Sequence, residues 1–209
     1  FLKHAANVAI SFLRPVHVTC SAHILNLVGE VWQQSFPVIS KLVASVKKAF
    51  TACPARKARF RQFLCDKGKP GALPPTPVIT RWNSWFQAAL YHTDHLVDYS
   101  EFFGDEVERS SSLNISELVD FCVSSAVKDD LTELRKYAPE IMSKLTEYEG
   151  ADVKAHLVTD ELTYLAEWMD TSASEVLQHL KQLSPSVEAL RKGSEKLRNY
   201  ICKAGSSTF

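Results

Sequence analysis

Cys20 and His23 set a thiol and an imidazole three residues apart at the head of the apolar run TCSAHILNLV. Side chains at that spacing share one helical face, so the pair has the form of half a zinc site. His92 and His95, also three apart, would be the best available completion. Zinc takes four ligands, however, and no Cys-x-x-Cys or His-x3-His lies at finger-like distance from the first pair. The structural alternative has Cys20 ending a strand within a core and His23 hydrogen-bonding from the first helical turn. A Cys20–His23 nucleophilic dyad would lack the third, orienting group such centres need. No glycine-rich phosphate loop, His-Glu-x-x-His or Gly-x-Ser-x-Gly occurs.

A second string with chemical content is TRWNSW, residues 80 to 85. Thr80 can cap a helix, which leaves Arg81 and Trp82 in its first turn. Guanidinium on phosphate and indole on an unstacked base make a workable nucleic-acid platform. The competing reading makes the tryptophan part of the core.

The elements that must position these residues are nearly all helical. A first amphipathic helix (Leu2, Ala6, Ala9, Ile10, Leu13) stops at Arg14-Pro15, and Val16 to Cys20 suits a short strand. Ser21 can cap a helix whose apolar positions Ile24, Leu25, Leu27, Val28, Val31 and Trp32 wrap most of the way round. Phe36, Ile39, Val43, Val46 and Phe50 form a narrow stripe, with Lys41, Lys47 and Lys48 turned away from it. Another helix is expected from Pro54 to about Cys65. KGKPGALPPTP, residues 67 to 77, cannot hold regular structure, with four prolines and two glycines in eleven positions. Downstream, helices are expected over Trp82 to His95, Val97 to Val107, Leu113 to Lys128, Leu131 to Tyr148 with a kink at Pro139, and Val153 to Met169. A further helix begins at Ser184-Pro185, with Ser194 filling a gap in the three-four apolar spacing.

Composition narrows the classes. With 209 residues and 45% hydrophobic content the chain can bury a substantial core. It has no run of about eighteen apolar residues and no signal-peptide pattern, so no membrane partner is expected and the protein reads as soluble and intracellular. Five scattered cysteines look like reduced, buried thiols. Lys plus Arg and Asp plus Glu both number 24, but the charge is partitioned. Nine basic residues lie between Lys41 and Lys69 against Asp66 alone, while between Asp94 and Glu149 fourteen acids face five bases. The opening Phe1, within a helical pattern, suggests a fragment.

The strand ending in Cys-x-x-His-x-Leu-Asn-Leu (Cys20, His23, Leu25, Asn26, Leu27), followed by Thr80-Arg-Trp-Asn-Ser84, resembles the hAT transposase superfamily over about residues 1 to 100. The resemblance implies a mainly α chain: residues 1–35 as a helix-strand-helix remnant of a ribonuclease-H-like core, 36–66 as basic helices, 67–79 as a Pro/Gly linker, and 80–209 as a helical insertion domain. It implies a DNA transposase whose three acids hold Mg or Mn ions for strand cleavage and transfer. None of those acids is recognisable here, so no catalytic residue and no cofactor is assigned to this chain. Arg81 and Trp82 would contact DNA, with Cys20, His23 and Asn26 as a structural motif beside the catalytic core. A nuclear location, a DNA partner and a possible homo-oligomer follow, with no small-molecule substrate. The reading from another class is a helical protein-interaction or dimerisation module without DNA binding.

Overall fold

The computed structural model of the chain describes residues 21–78, 82–109, 113–149, 157–180 and 184–206. Among the described residues it contains nine α-helices and no β-strand, so the protein is mainly α. The expected first helix, the strand at Val16 to Cys20, and Thr80 with Arg81 lie outside the described residues.

Local chemistry explains the first three helices. Helix α1 (Ser21–Ser35) gives way to α2 (Pro37–Ala52) because Pro37 has no N–H to continue the first helix and its fixed φ suits the start of the second. Phe36, between them, is fully buried and stacks on Trp32 at 5.9 Å between ring centroids. The stripe Ile39, Val43, Val46 and Phe50 is buried as its spacing predicts, and Lys41, Lys47 and Lys48 are exposed. Helix α3 (Pro54–Asp66) again has proline in its first turn and ends in a Schellman motif. Gly68 takes φ +69°, which lets the Lys69 N–H reach the Leu64 carbonyl and the Gly68 N–H the Cys65 carbonyl, both at 2.9 Å. The Pro/Gly stretch that follows has no helix or strand, yet it is tied down. Leu73 packs on the core, and the Tyr91 hydroxyl donates to the Ala72 carbonyl at 2.7 Å.

The remaining helices are α4 (Trp82–Asp94), α5 (Leu96–Arg109), α6 (Leu113–Val123), α7 (Ser125–Glu149), α8 (Val158–Leu180) and α9 (Pro185–Ser206). Two boundaries differ from expectation. The break expected near residue 129 falls at Ser124, because Val127 belongs to the buried seam that continues through Leu131, Leu134, Ala138, Ile141, Leu145 and Tyr148. Nothing at Ser124 breaks a helix by itself; the seam decides the boundary. Pro139 lies on the exposed side inside α7, which continues through it. Helix α8 runs on past its expected end at Met169 to Leu180, and residues 153–156 of its expected span lie outside the described residues. Ser184 caps α9 as expected, accepting the Val187 N–H at 3.4 Å.

One hydrophobic cluster runs from Ile24 to Leu197 and takes residues from every helix. Trp32 of α1 lies at its middle, with its ring against Phe36, Phe86 of α4 and Tyr137 of α7. Helix α9 packs along α8 and α1, α4 packs on α7, and α5 packs on α6. A second set of rings, Phe50, Phe60, Tyr99, Phe102 and Phe103, joins α2, α3 and α5. No helix among the described residues is long and apolar enough to cross a membrane. The cysteine expectation holds for Cys122, which is buried and whose thiol burial pushes up to about 12. It fails for Cys65 and Cys202, which are exposed.

Candidate nucleic-acid interface

The two motif strings meet at the N-terminal end of α4. The Asn26 side-chain carbonyl accepts the backbone N–H of Trp82 at 3.3 Å, although the residues are 56 apart in the chain. The first N–H groups of a helix have no partner within it, so α1 supplies from outside what an N-cap residue supplies locally. Gly29, one turn along α1, lets the two helices touch. A Cβ placed there would lie 2.4 Å from the Trp82 Cβ. Trp82 is therefore half-buried, with its root against α1 and its ring against the core. The next two residues fasten the same end. Asn83 Nδ2 donates to Thr146 Oγ1 of α7 at 3.0 Å, and Ser84 Oγ accepts the Val78 N–H at 2.7 Å. Asn26→Ala is expected to cost about 1 kcal/mol, the usual worth of a helix cap, read as a lowered midpoint in urea unfolding.

The two histidine pairs do not converge. His23 is exposed on the first turn of α1 and has no hydrogen bond among the described residues; Cys20 lies outside them. His92 is buried, its Nδ1 2.8 Å from the Tyr99 hydroxyl, while His95 turns to Asp98 Oδ2 at 2.7 Å. Among the described residues no three His, Cys, Asp or Glu side chains form a group able to hold a metal ion.

Burial, and then the charge of His95, push the His92 imidazole down to about 3. The unfolded chain takes up this proton near pH 6.5 and the folded chain does not, so His92 contributes fully above pH 6.5 and progressively less toward pH 3. The loss runs at up to about 1.4 kcal/mol per pH unit. Asp130 acts with the opposite sign. Burial, and then Glu133 and Asp129, hold its carboxyl up to about 6, so its cost is relieved as the pH falls below that value. Comparison with His92→Gln isolates the histidine. Between about pH 6.5 and 5 the wild type is expected to lose more unfolding free energy than the variant, and parallel curves would contradict the assignment.

Part of the basic stretch is paired within the molecule. Glu106 of α5, 1% exposed, receives Arg56 Nε at 2.8 Å and Arg59 Nε and Nη2 at 2.6 Å. Arg56 also donates to the Ala49 carbonyl at 2.6 Å, which ties the end of α2 to the same cluster. The Arg59 hydrogen bond is the chief reason the Glu106 carboxyl lies below its usual range. One and two turns earlier on α5, Asp98 meets Lys69 Nζ at 2.6 Å, and Glu101 pairs with Lys67. Burial opposes ionisation of Asp98, but the bonds from Lys69 and His95 outweigh it. Four cations of the basic stretch thus pair with three acids of α5.

Sequence reasoning did not find Cys53, which ends α2 and begins α3. The Arg56 N–H, and then the Arg59 guanidinium, hold its thiol below its ordinary value. A cysteine immediately before Pro-x-Arg was the available signal. It lines a groove of about 720 Å³ between α2 and α6, with Lys41, Lys48 and Arg56 among its basic residues and Glu117 and Asp120 among its acids.

No protein-family profile, curated protein or solved structure matches the chain. The family reading therefore rests on the two motif strings.

Proposed function

We propose that the chain is a piece of a hAT-type DNA transposase, or of a protein derived from one, and that it binds DNA at the N-terminal end of α4. On this reading Arg81 and Trp82 are the contact residues, and α1 is the closing helix of a ribonuclease-H-like remnant. The observation that carries it is the junction of Asn26 and Gly29 with Trp82. Two strings that the resemblance pairs, far apart in sequence, here serve one purpose: α1 caps and seats the helix that Arg81 precedes. Trp82 is only partly buried, and on this reading its exposed part meets a base. The chain alone is catalytically incomplete, since strand cleavage would need metal-holding carboxylates supplied elsewhere in the parent protein. Its setting would be nuclear.

One observation favours the second reading, a helical protein-interaction or dimerisation module without DNA binding. Arg56, Arg59, Lys67 and Lys69, four of the nine basic residues between Lys41 and Lys69, are paired with acids of α5, which leaves less charge for phosphate. Salt separates the two. A DNA-binding chain loses affinity steeply between about 50 and 200 mM salt, roughly a hundredfold for about four phosphate contacts. Trp82→Ala is expected to remove about 1–3 kcal/mol of binding to DNA with an unpaired base at the contact. Salt-insensitive self-association, with no DNA bound at low salt, would leave the second reading.

A further inference from the structure

Between Glu30 and Asp94 the chain has one acid, Asp66, and Gln62 already donates to it at 2.8 Å. The acids that α5 brings to this region are used by Arg56, Arg59, Lys67 and Lys69. Lys41 and Lys48 lie in the groove that also holds Glu117 and Asp120. Lys47, Lys48, Lys57 and Arg61 form no ion pair among the described residues. Three of these are gathered around Thr51. Lys47, Thr51 and Lys57 line a depression of about 90 Å³ under Pro74 to Pro77, and Lys47, Lys48 and Thr51 line a shallow one beside it. Lys57 and Arg61 are four apart on α3, a like-charge spacing that weakens a helix. The repulsion within the cluster is thus offset by no ion pair among the described residues.

The chemistry of the patch selects the phosphate backbone over the bases. Three of the four are lysines, compact point charges suited to phosphate and without the planar fork that reads a base edge. The ring residues beneath, Phe50 and His92, are buried at 4% and 1% exposure and cannot stack on a base. We infer that Lys47, Lys48, Lys57 and Arg61 form a sequence-independent contact with the backbone of duplex DNA, separate from the Arg81–Trp82 end of α4. This contact rests on the DNA-binding reading above.

The test uses the full chain and a duplex of arbitrary sequence, with affinity measured across a salt series. The wild type is compared with the quadruple variant Lys47→Gln, Lys48→Gln, Lys57→Gln, Arg61→Gln, and with Lys128→Gln/Arg191→Gln as a control on exposed cations elsewhere. Circular dichroism and thermal melting establish that each variant is folded. The patch predicts a slope of log affinity against log salt reduced by about 0.9 for each phosphate no longer neutralised, so by about 2 to 4 in the quadruple variant and little in the control. Wild-type slope in a quadruple variant that still binds duplex overturns the patch and leaves the DNA reading standing. Absence of duplex binding by the wild type at low salt overturns both. Binding to anionic phospholipid vesicles without duplex binding assigns the patch to a membrane surface and overturns the inference.

Discussion

Glu106→Ala is expected to lower the unfolding free energy by about 3–5 kcal/mol, the cost of leaving a buried charge without its partner. The Arg56 side chain is 7% exposed and its guanidinium has been taken out of water for this carboxylate. With Glu106 gone, Arg56 keeps its hydrogen bond to the Ala49 carbonyl but has no carboxylate to neutralise it, and Arg59 loses both of its hydrogen bonds to Glu106. Desolvation is then uncompensated, which is why breaking such a pair costs more than the pair contributes. Replacing the buried pair, Arg56→Met with Glu106→Leu, is expected to cost much less, because a well-packed apolar pair leaves no buried orphaned charge, and Arg59, with its side chain 35% exposed, turns to water. Urea unfolding of the two variants decides it. A single Glu106→Ala variant within about 0.5 kcal/mol of wild type would show that water reaches the cluster and that the α3–α5 contact does not depend on it.

Gly29→Ala has a sign that separates local from tertiary causes. Alanine inside a helix is worth about 1 kcal/mol over glycine, so helix propensity alone predicts stabilisation. The added Cβ would lie 2.4 Å from the Trp82 Cβ and 3.0 Å from its Cγ, at the root of the side chain, where rotation gives no relief. The helices must separate, and overpacking of this kind costs about 1–3 kcal/mol. A net loss is expected, with changed Trp fluorescence as α4 moves off α1. A more stable Gly29→Ala variant would contradict the close approach.

What the sequence disclosed follows from what each signal depends on. The stripe of α2 and the proline starts of α3 and α9 depend on neighbours within a few residues, and they were legible. The break at Ser124 depends on a seam that α7 presents to other helices, and no local residue announces it. The charge blocks were visible as blocks, but the pairing between them was not. Whether Glu106 faces water or Arg56 is settled by the α3–α5 packing, which pattern reading does not reach. Likewise, Asn26 could be noticed within TCSAHILNLV, but its role as a cap on a helix beginning 56 residues later required the fold. Gly29 was the neglected clue. A glycine in the middle of an otherwise strong helix often marks close approach, and here it marks the site where the two motifs meet. His92 and His95 had the spacing of ligands, yet one turn of α4 directs the first to Tyr99 and the second to Asp98.

Two claims are joined at this junction: α1 holds the start of α4, and the start of α4 holds DNA. A double-mutant cycle in DNA affinity between Asn26→Ala and Arg81→Ala tests both at once. If Asn26 acts by positioning the residues that contact DNA, its loss weakens binding in the wild type and adds little once Arg81 is gone, a coupling of about 0.5 kcal/mol or more. Additive effects, or full affinity in a folded Asn26→Ala variant, would contradict both the positioning and the contact it serves.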